Sequence, residues 1–285
     1  MARVDVWHIT ETQTIPVNLP DGSSLDEVTR QLPEGYYSTF RTFEHGTRVL
    51  GLTFHLRRLF DPVAAPDINS AILRRELRAL LKQYHPGEAR VRVVMTRHGK
   101  AYLALEPLRT LPREVYEQGV RVETLDLRRE HPELKSTSFI VRSSAERNHL
   151  AQQGIFEALL VNDGMILEGM TSNFFYVSQA RVRPEHGQQR ASAVLCTAPG
   201  DILPGVTRQM IIDIAEGRGL TIRYEPLQRN QLELAREAFI TSSSRGVVPV
   251  IQIDMSTIGE GRPGPVTREL VAAYEAYVLE NAEAI

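Results

Sequence analysis

The chain has a single cysteine, Cys196, so neither an intramolecular disulfide framework nor a cysteine-based zinc or iron–sulfur cage can form. Lysine is almost as scarce. Lys82, Lys100 and Lys135 are the only three, and the other thirty of the 33 basic residues are arginine. A guanidinium keeps its proton near neutral pH and forms no imine, so amine covalent chemistry has three candidate side chains. There is also no excess of charge of one sign: 33 basic against 35 acidic residues leave a net charge of −2. That balance gives no electrostatic reason to expect nucleic acid or an anionic membrane as partner, and points to a small molecule. No apolar run approaches the ~20 residues of a membrane-spanning helix. The start, Met1-Ala-Arg-Val-Asp-Val-Trp-His, lacks the apolar stretch of a secretory signal. A cytoplasmic protein is expected.

What is present is ordinary globular material: 285 residues, 42% hydrophobic and 24% charged, enough for one large or two modest domains. The N-terminal part reads as mixed strand and helix. Arg48-Val-Leu-Gly-Leu is a short strand leading into the helical His55-Leu-Arg-Arg-Leu-Phe. Ile72–Leu81 has apolar residues at helical spacing until Pro86-Gly87 stops it, and Val91–Thr96 and Ala101–Glu106 form a hairpin around Arg97-His-Gly-Lys100. The Pro-punctuated stretch Pro107–Pro112 reads as a linker. Beyond it come a strand at Val120–Leu125, a helix from Ser144 to Gln153, and strands at Glu157–Asn162 and Ser172–Val177. Pro204-Gly205 opens a helix over Val206–Glu216, closed by Gly217 and Gly219. Strands at Glu237–Thr241 and Val247–Asp254 and a last helix from Thr267 to Glu280 follow. Arg183–Ser192 reads as a polar surface excursion.

Two apparent nucleotide-binding signatures lack parts that their chemistry needs. Gly259-Glu-Gly261-Arg-Pro-Gly264 matches G-x-G-x-x-G, but the 21 residues after it leave no room for a second strand with a ribose-binding acid. Gly200–Thr207 has Walker-like spacing, yet Val206 stands where that motif requires lysine. A Gly-led helix start with Thr207 in its first turn can still hold one phosphate through amide N–H groups and the helix dipole. Taken one at a time the remaining candidates are bland: Thr241-Ser-Ser-Ser244 is common loop material, Arg58 a solvated charge, and Glu168 a surface turn acid. Lys135 differs from the other two lysines because it opens the small-polar and apolar stretch Ser136-Thr-Ser-Phe-Ile-Val. Downstream, Val161–Val177 reads as a hairpin whose second strand opens with Glu168 and holds Asn173 among apolar neighbours.

In combination these pieces resemble the class IV, or fold-type IV, pyridoxal-phosphate aminotransferases, the group of branched-chain aminotransferases, D-amino acid transaminases and aminodeoxychorismate lyase. The stations are His55-Leu-Arg-Arg58-Leu, Lys135, Glu168-Gly-Met-Thr-Ser-Asn173-Phe-Phe, Leu203-Pro-Gly-Val-Thr207-Arg, Thr241-Ser-Ser-Ser-Arg-Gly-Val-Val-Pro249-Val and the late Gly259-x-Gly-x-x-Gly-Pro-Val-Thr-Arg. They come in the family's order, with the acid 33 positions after the lysine. The resemblance implies a mixed α/β, two-domain fold: a smaller N-terminal domain over 1–110, a linker at about 107–116, and a larger C-terminal domain over 117–285 that carries the lysine. The cofactor, pyridoxal 5′-phosphate, is expected between them, in a homodimer.

The same resemblance implies roles. Lys135 would hold the cofactor as an internal aldimine and move the proton at substrate Cα. Glu168 would face the pyridine nitrogen. Arg58, Val206, Thr207 and Ser243 would grip the phosphate, with Asn173 supporting the site. Tyr37, Arg41, Ser244 and Arg245 would meet the substrate; no metal is implied. Two departures from the pattern stand out. Ile140 occupies the place, five residues after the lysine, of a tyrosine usual in branched-chain members, and Arg97–Ala101 lacks the Arg-x-His pair of the D-amino acid enzymes. The expected reaction is ping-pong amino transfer between an amino acid and a 2-oxo acid. An aminodeoxychorismate-lyase-like release of pyruvate is the alternative, and a non-catalytic binding module on the same fold a further one.

Overall fold

The computed structural model describes residues 4–20, 24–84, 87–179 and 193–285. Pro86, expected to end a helix, and the Arg183–Ser192 excursion lie outside the described residues. The chain forms two compact units. One comprises residues 1–110, 134–144 and 278–285, the other 111–133 and 145–277.

The first unit is built on an antiparallel sheet of β1 (Asp5–Ile9), β2 (Thr14–Pro16), β3 (Gly35–Phe43), β4 (Arg48–Val49), β5 (Ala89–Thr96), β6 (Ala101–Pro107) and the C-terminal Glu283–Ala284. The spatial order runs Glu283–Ala284, β4, β3, β5, β6, β1, β2. Side chains alternate across the sheet, so Phe40, Val91, Val93, Met95, Leu103 and Leu105 share one face. They form a core with Leu52, Leu56 and Leu59 of helix Leu52–Phe60 and Leu73 and Leu77 of helix Ser70–Gln83. Asn69 starts the latter helix, its side chain accepting from the Ile72 amide at 2.9 Å. On the opposite face Val6 and Ala104 pack on Leu25 and Val28 of helix Leu25–Gln31. Each such fully buried Val or Leu contributes roughly 1.5–3 kcal/mol.

Here the structure departs from the expected boundaries. Lys135 does not belong with the C-terminal domain, because Leu134–Ser144 packs on β3. The Tyr37 amide donates to the Lys135 carbonyl at 2.9 Å, Tyr36 and Ser136 form an antiparallel bridge, and the Gly35 amide donates to Thr137 Oγ1 at 3.0 Å. Nor does the linker run to residue 116. Arg113–Gln118 is a helix with an Arg113–Glu117 ion pair, and Val115 and Tyr116 pack on the second unit's core.

The second unit contains β7 (Val120–Asp126), β8 (Glu157–Asn162), β9 (Met165–Gly169), β10 (Asn173–Gln179), β11 (Ala193–Thr197), β12 (Thr221–Tyr224), β13 (Leu227–Gln228), β14 (Glu237–Ser242), β15 (Gly246–Ile253) and β16 (Ser256–Thr257). Pairing runs β10, β14, β15, β7, β8, β9, and the Asn173–Glu168 pair joins β9 back to β10. Six strands thus close into a ring whose inner face includes Val122, Leu159, Val161, Ile166, Phe174, Tyr176, Ile240, Val248 and Val250. Closure leaves these six strands few free edges. In place of the expected single hairpin over Val161–Val177 there are three strands. A tight turn, Gly169 amide to Ser172 carbonyl at 2.8 Å, separates β9 from β10, so Glu168 lies near the end of one strand and Asn173 opens the next. Helix Val206–Gly217 begins at Gly205 as expected.

Candidate active site

A β-bulge sets the direction of Glu168. Leu160 pairs with Glu168 and Val161 with Ile166, which leaves Leu167 as an extra residue. Without it Ile166 and Glu168 would share a face; with it Ile166 points into the ring and Glu168 points outward. The same outward row continues through the pairs Glu168–Asn173 and Asn173–Thr241. Although it faces out of the ring, Glu168 is only 2% exposed. Its Oε1 lies 2.8 Å from Arg129 Nε, and its Oε2 accepts from the Leu203 amide at 3.0 Å and from Asn173 Nδ2 at 3.4 Å. Arg129 is anchored in turn by donating from Nη2 to the Met170 carbonyl at 2.7 Å. Nothing in the sequence singles out Arg129, because Arg128-Arg-Glu-His has the look of a solvated charged run.

Beside this carboxylate lies a helix start. Asn173 Nδ2 also donates to the Leu203 carbonyl at 2.8 Å, and Asn173 Oδ1 occupies the space where a side chain at Gly205 would begin, 1.9 Å from an ideal Cβ. Glycine at 205 is therefore a packing requirement. Val206 and Thr207 follow in the first turn, both buried, and Thr207 Oγ1 meets Ser243 Oγ at 3.5 Å. First-turn amides and two hydroxyls form a donor set suited to a phosphate. Thr241, whose Oγ1 is buried without a hydrogen-bond partner among the described residues, belongs to the same outward row. Ser244 follows in the same loop. Arg245 turns its guanidinium to buried Glu157, at 2.9 Å.

The first unit holds the other candidates. Lys135 is half-buried and its Nζ lies 4.8 Å from the centre of the Tyr37 ring; Arg92 Cζ lies 4.7 Å from that same centre. Arg92 is fixed by Asp26 at 2.6 Å and by Thr29 and Thr39. Ile140 is buried against Tyr37 and Val94, so the position that departs from the branched-chain pattern fills a core. Arg58 is half-buried on helix Leu52–Phe60, one turn from His55. Buried His55 shares a hydrogen bond with Ser38 through Nδ1 at 2.8 Å. Burial first, then the charges of Arg58 and Lys135, hold its pKa well below the ordinary 6.5. Arg41 lies over the Phe43 ring at 4.7 Å.

The late glycine motif has a structural occupation instead. Glu237 accepts from the Val266 and Thr267 amides at 3.2 and 2.7 Å, capping helix Pro265–Asn281 with the chain's own carboxylate. A side chain at Gly264 would run into Glu237.

Residues 35–253 match the family Amino-transferase class IV, and the chain belongs to it. It is a class IV transaminase, and pyridoxal 5′-phosphate is the cofactor of that family. The chain is 27% identical over 280 residues to D-alanine aminotransferase of Bacillus licheniformis, covering 88% of this chain and 90% of that protein. It is 29% identical over 247 residues to a putative branched-chain-amino-acid aminotransferase of Methanocaldococcus jannaschii, covering 78% and 80%. In fold it is similar to the crystal structure of a putative branched-chain amino acid aminotransferase from Thermotoga maritima. The TM-score is 0.75 at 24% identity, over 97% of this chain and 96% of that one. The residues present fit the cofactor's chemistry: a buried carboxylate for a ring N–H, a helix start with hydroxyls for a phosphate, an orphaned buried hydroxyl, and a half-buried lysine.

Proposed function

We propose that this chain moves an amino group between an amino acid and a 2-oxo acid by a ping-pong sequence in which Lys135 is the catalytic residue. Bound pyridoxal phosphate supplies an aldehyde to take up the amine and a heteroaromatic ring to accept the electrons released at Cα. Lys135 Nζ would hold the cofactor's aldehyde end and would carry the proton from substrate Cα to that aldehyde carbon. Glu168 would face the ring nitrogen and favour its protonated form. The Val206 and Thr207 helix start, Thr207 and Ser243 hydroxyls and Arg58 bind the phosphate. Asn173 orients Glu168. Tyr37, Arg41, Ser244 and Arg245 meet the substrate. A homodimer and a cytoplasmic location go with this reading.

The observation that carries it is the Glu168 carboxylate, turned out of the ring by a bulge, fixed by Arg129 and set beside the helix start through Asn173. The test is incubation of the purified, cofactor-loaded protein with L- and D-amino donors and either pyruvate or 2-oxoglutarate. Expected is transfer to the 2-oxo acid for donors of one handedness, abolished in Lys135→Ala. Pyruvate release from aminodeoxychorismate alone, without transfer, would replace this reading by the lyase.

A further inference from the structure

The helix start beside Glu168 has a cation where electrostatics would favour an acid. The amide end of a helix carries partial positive charge, which stabilises Asp or Glu in the first turn and opposes Lys or Arg. Helix Val206–Gly217 has no acid in its first turn, and its third residue is Arg208. That arginine is also buried, at 9% exposure. Its Nη2 donates to the Ala198 carbonyl at 2.9 Å, and its Cζ lies 5.8 Å from the centre of the Tyr224 ring. Nε is buried without a hydrogen-bond partner, and no carboxylate pairs with the guanidinium, among the described residues. Burial draws its pKa below the ordinary guanidinium value, while Tyr224 and Glu168 oppose that shift.

The buried charges here do not cancel. Glu168 acts on Arg208 through the interior, but its carboxylate is already in contact with Arg129 at 2.8 Å. One carboxylate between two buried guanidinium groups leaves one positive charge in excess. Both the missing counter-ion and the helix dipole make that charge costly. An anion at the amide end relieves both at once. Contact is not needed, because a buried charge is screened far less than a solvated one. Arg208 Cβ lies 3.3 Å from the point where a Gly205 side chain would begin, on the side of the helix that meets Asn173, whereas Thr207 turns to Ser243.

We propose that Arg208 is the countercharge of a phosphate seated at the Val206 and Thr207 amides, acting across the first turn without touching it. The inference rests on the amino-transfer reading, which seats the cofactor's phosphate there. Arg208 is thus a positioning residue for the cofactor, and its charge, more than its hydrogen bond to Ala198, is what the phosphate requires.

The test is calorimetric titration of the cofactor-free, full-length protein with pyridoxamine 5′-phosphate and with pyridoxamine, which lacks only the phosphate. Expected is that Arg208→Met weakens pyridoxamine 5′-phosphate by about tenfold and leaves pyridoxamine unchanged. Arg208→Lys, which keeps the charge and loses the planar fork, should retain most of the preference for the phosphate ester. A residue that merely braced Ala198 would weaken both molecules alike, in both variants. That result, or an undiminished preference in Arg208→Met, overturns the proposal. Should Arg208→Met fail to fold, Arg208→Gln takes its place with the same expectations, being neutral and still able to offer Ala198 an N–H. Loss of the preference in a protein that transfers no amino group would sink the functional reading and leave this one standing. Amino transfer with the preference intact in the neutral variant would do the reverse.

Discussion

Glu168 Oε1 lies 2.8 Å from Arg129 Nε, with both side chains nearly inaccessible to solvent. Two charges buried in contact are each other's main compensation, so removing one strands the other. Arg129→Met is expected to destabilise the fold by about 3–5 kcal/mol, read as a fall in the urea midpoint. Arg129→Met combined with Glu168→Gln should recover a large part of that loss, because no bare carboxylate remains. A fully additive double variant would show that the two do not act as a pair.

Glu168→Gln alone keeps the shape and the contacts to Leu203 and Asn173 but removes the charge. On the proposed role, cofactor binding should persist while kcat falls by about 100-fold. Wild-type turnover would remove Glu168 from the mechanism.

Gly205 is tested through its neighbour. A methyl group there would begin 1.9 Å from Asn173 Oδ1, so Gly205→Ala should lower stability by roughly 1–3 kcal/mol. Asn173→Ala empties that space, and the double variant should therefore lose less than the sum of the single losses in denaturant unfolding.

His55 makes stability depend on pH. Its folded-state pKa is depressed by burial and by Arg58 and Lys135, so below pH 6.5 the unfolded chain binds a proton that the folded chain refuses. The His55 contribution is thus complete above about pH 6.5 and declines as pH falls towards the folded value, by up to about 1.4 kcal/mol per pH unit. His55→Asn should flatten that slope relative to wild type in unfolding curves taken from pH 7.5 to 5; parallel curves would count against it.

Local signals explain what could be read from the chain. The hairpin around Arg97–Lys100, the helix opened by Pro204-Gly205 and the long C-terminal helix carry turn, capping or periodic patterns within a few residues of themselves. What escaped depends on distant partners. Lys135 follows the Pro-rich stretch in sequence, and nothing nearby announces that Gly35 and Thr137, 102 residues apart, will bond and draw it onto β3. Helix Thr137–Arg142, with six residues, is too short for a periodic signature. Glu157 and Arg129 read as ordinary charges because their partners lie in other segments. Arg245 is legible as a cation, but its partner Glu157 lies 88 positions away in the chain.

Leu167 carries no chemistry, yet its presence decides where chemistry occurs. Because strand residues face alternate sides, deleting this one leucine would reverse the parity of β9 and swing the downstream acid into hydrocarbon. The orientation of the acid is thus a matter of arithmetic along the backbone, so a length change here would be more damaging than most substitutions of the leucine itself.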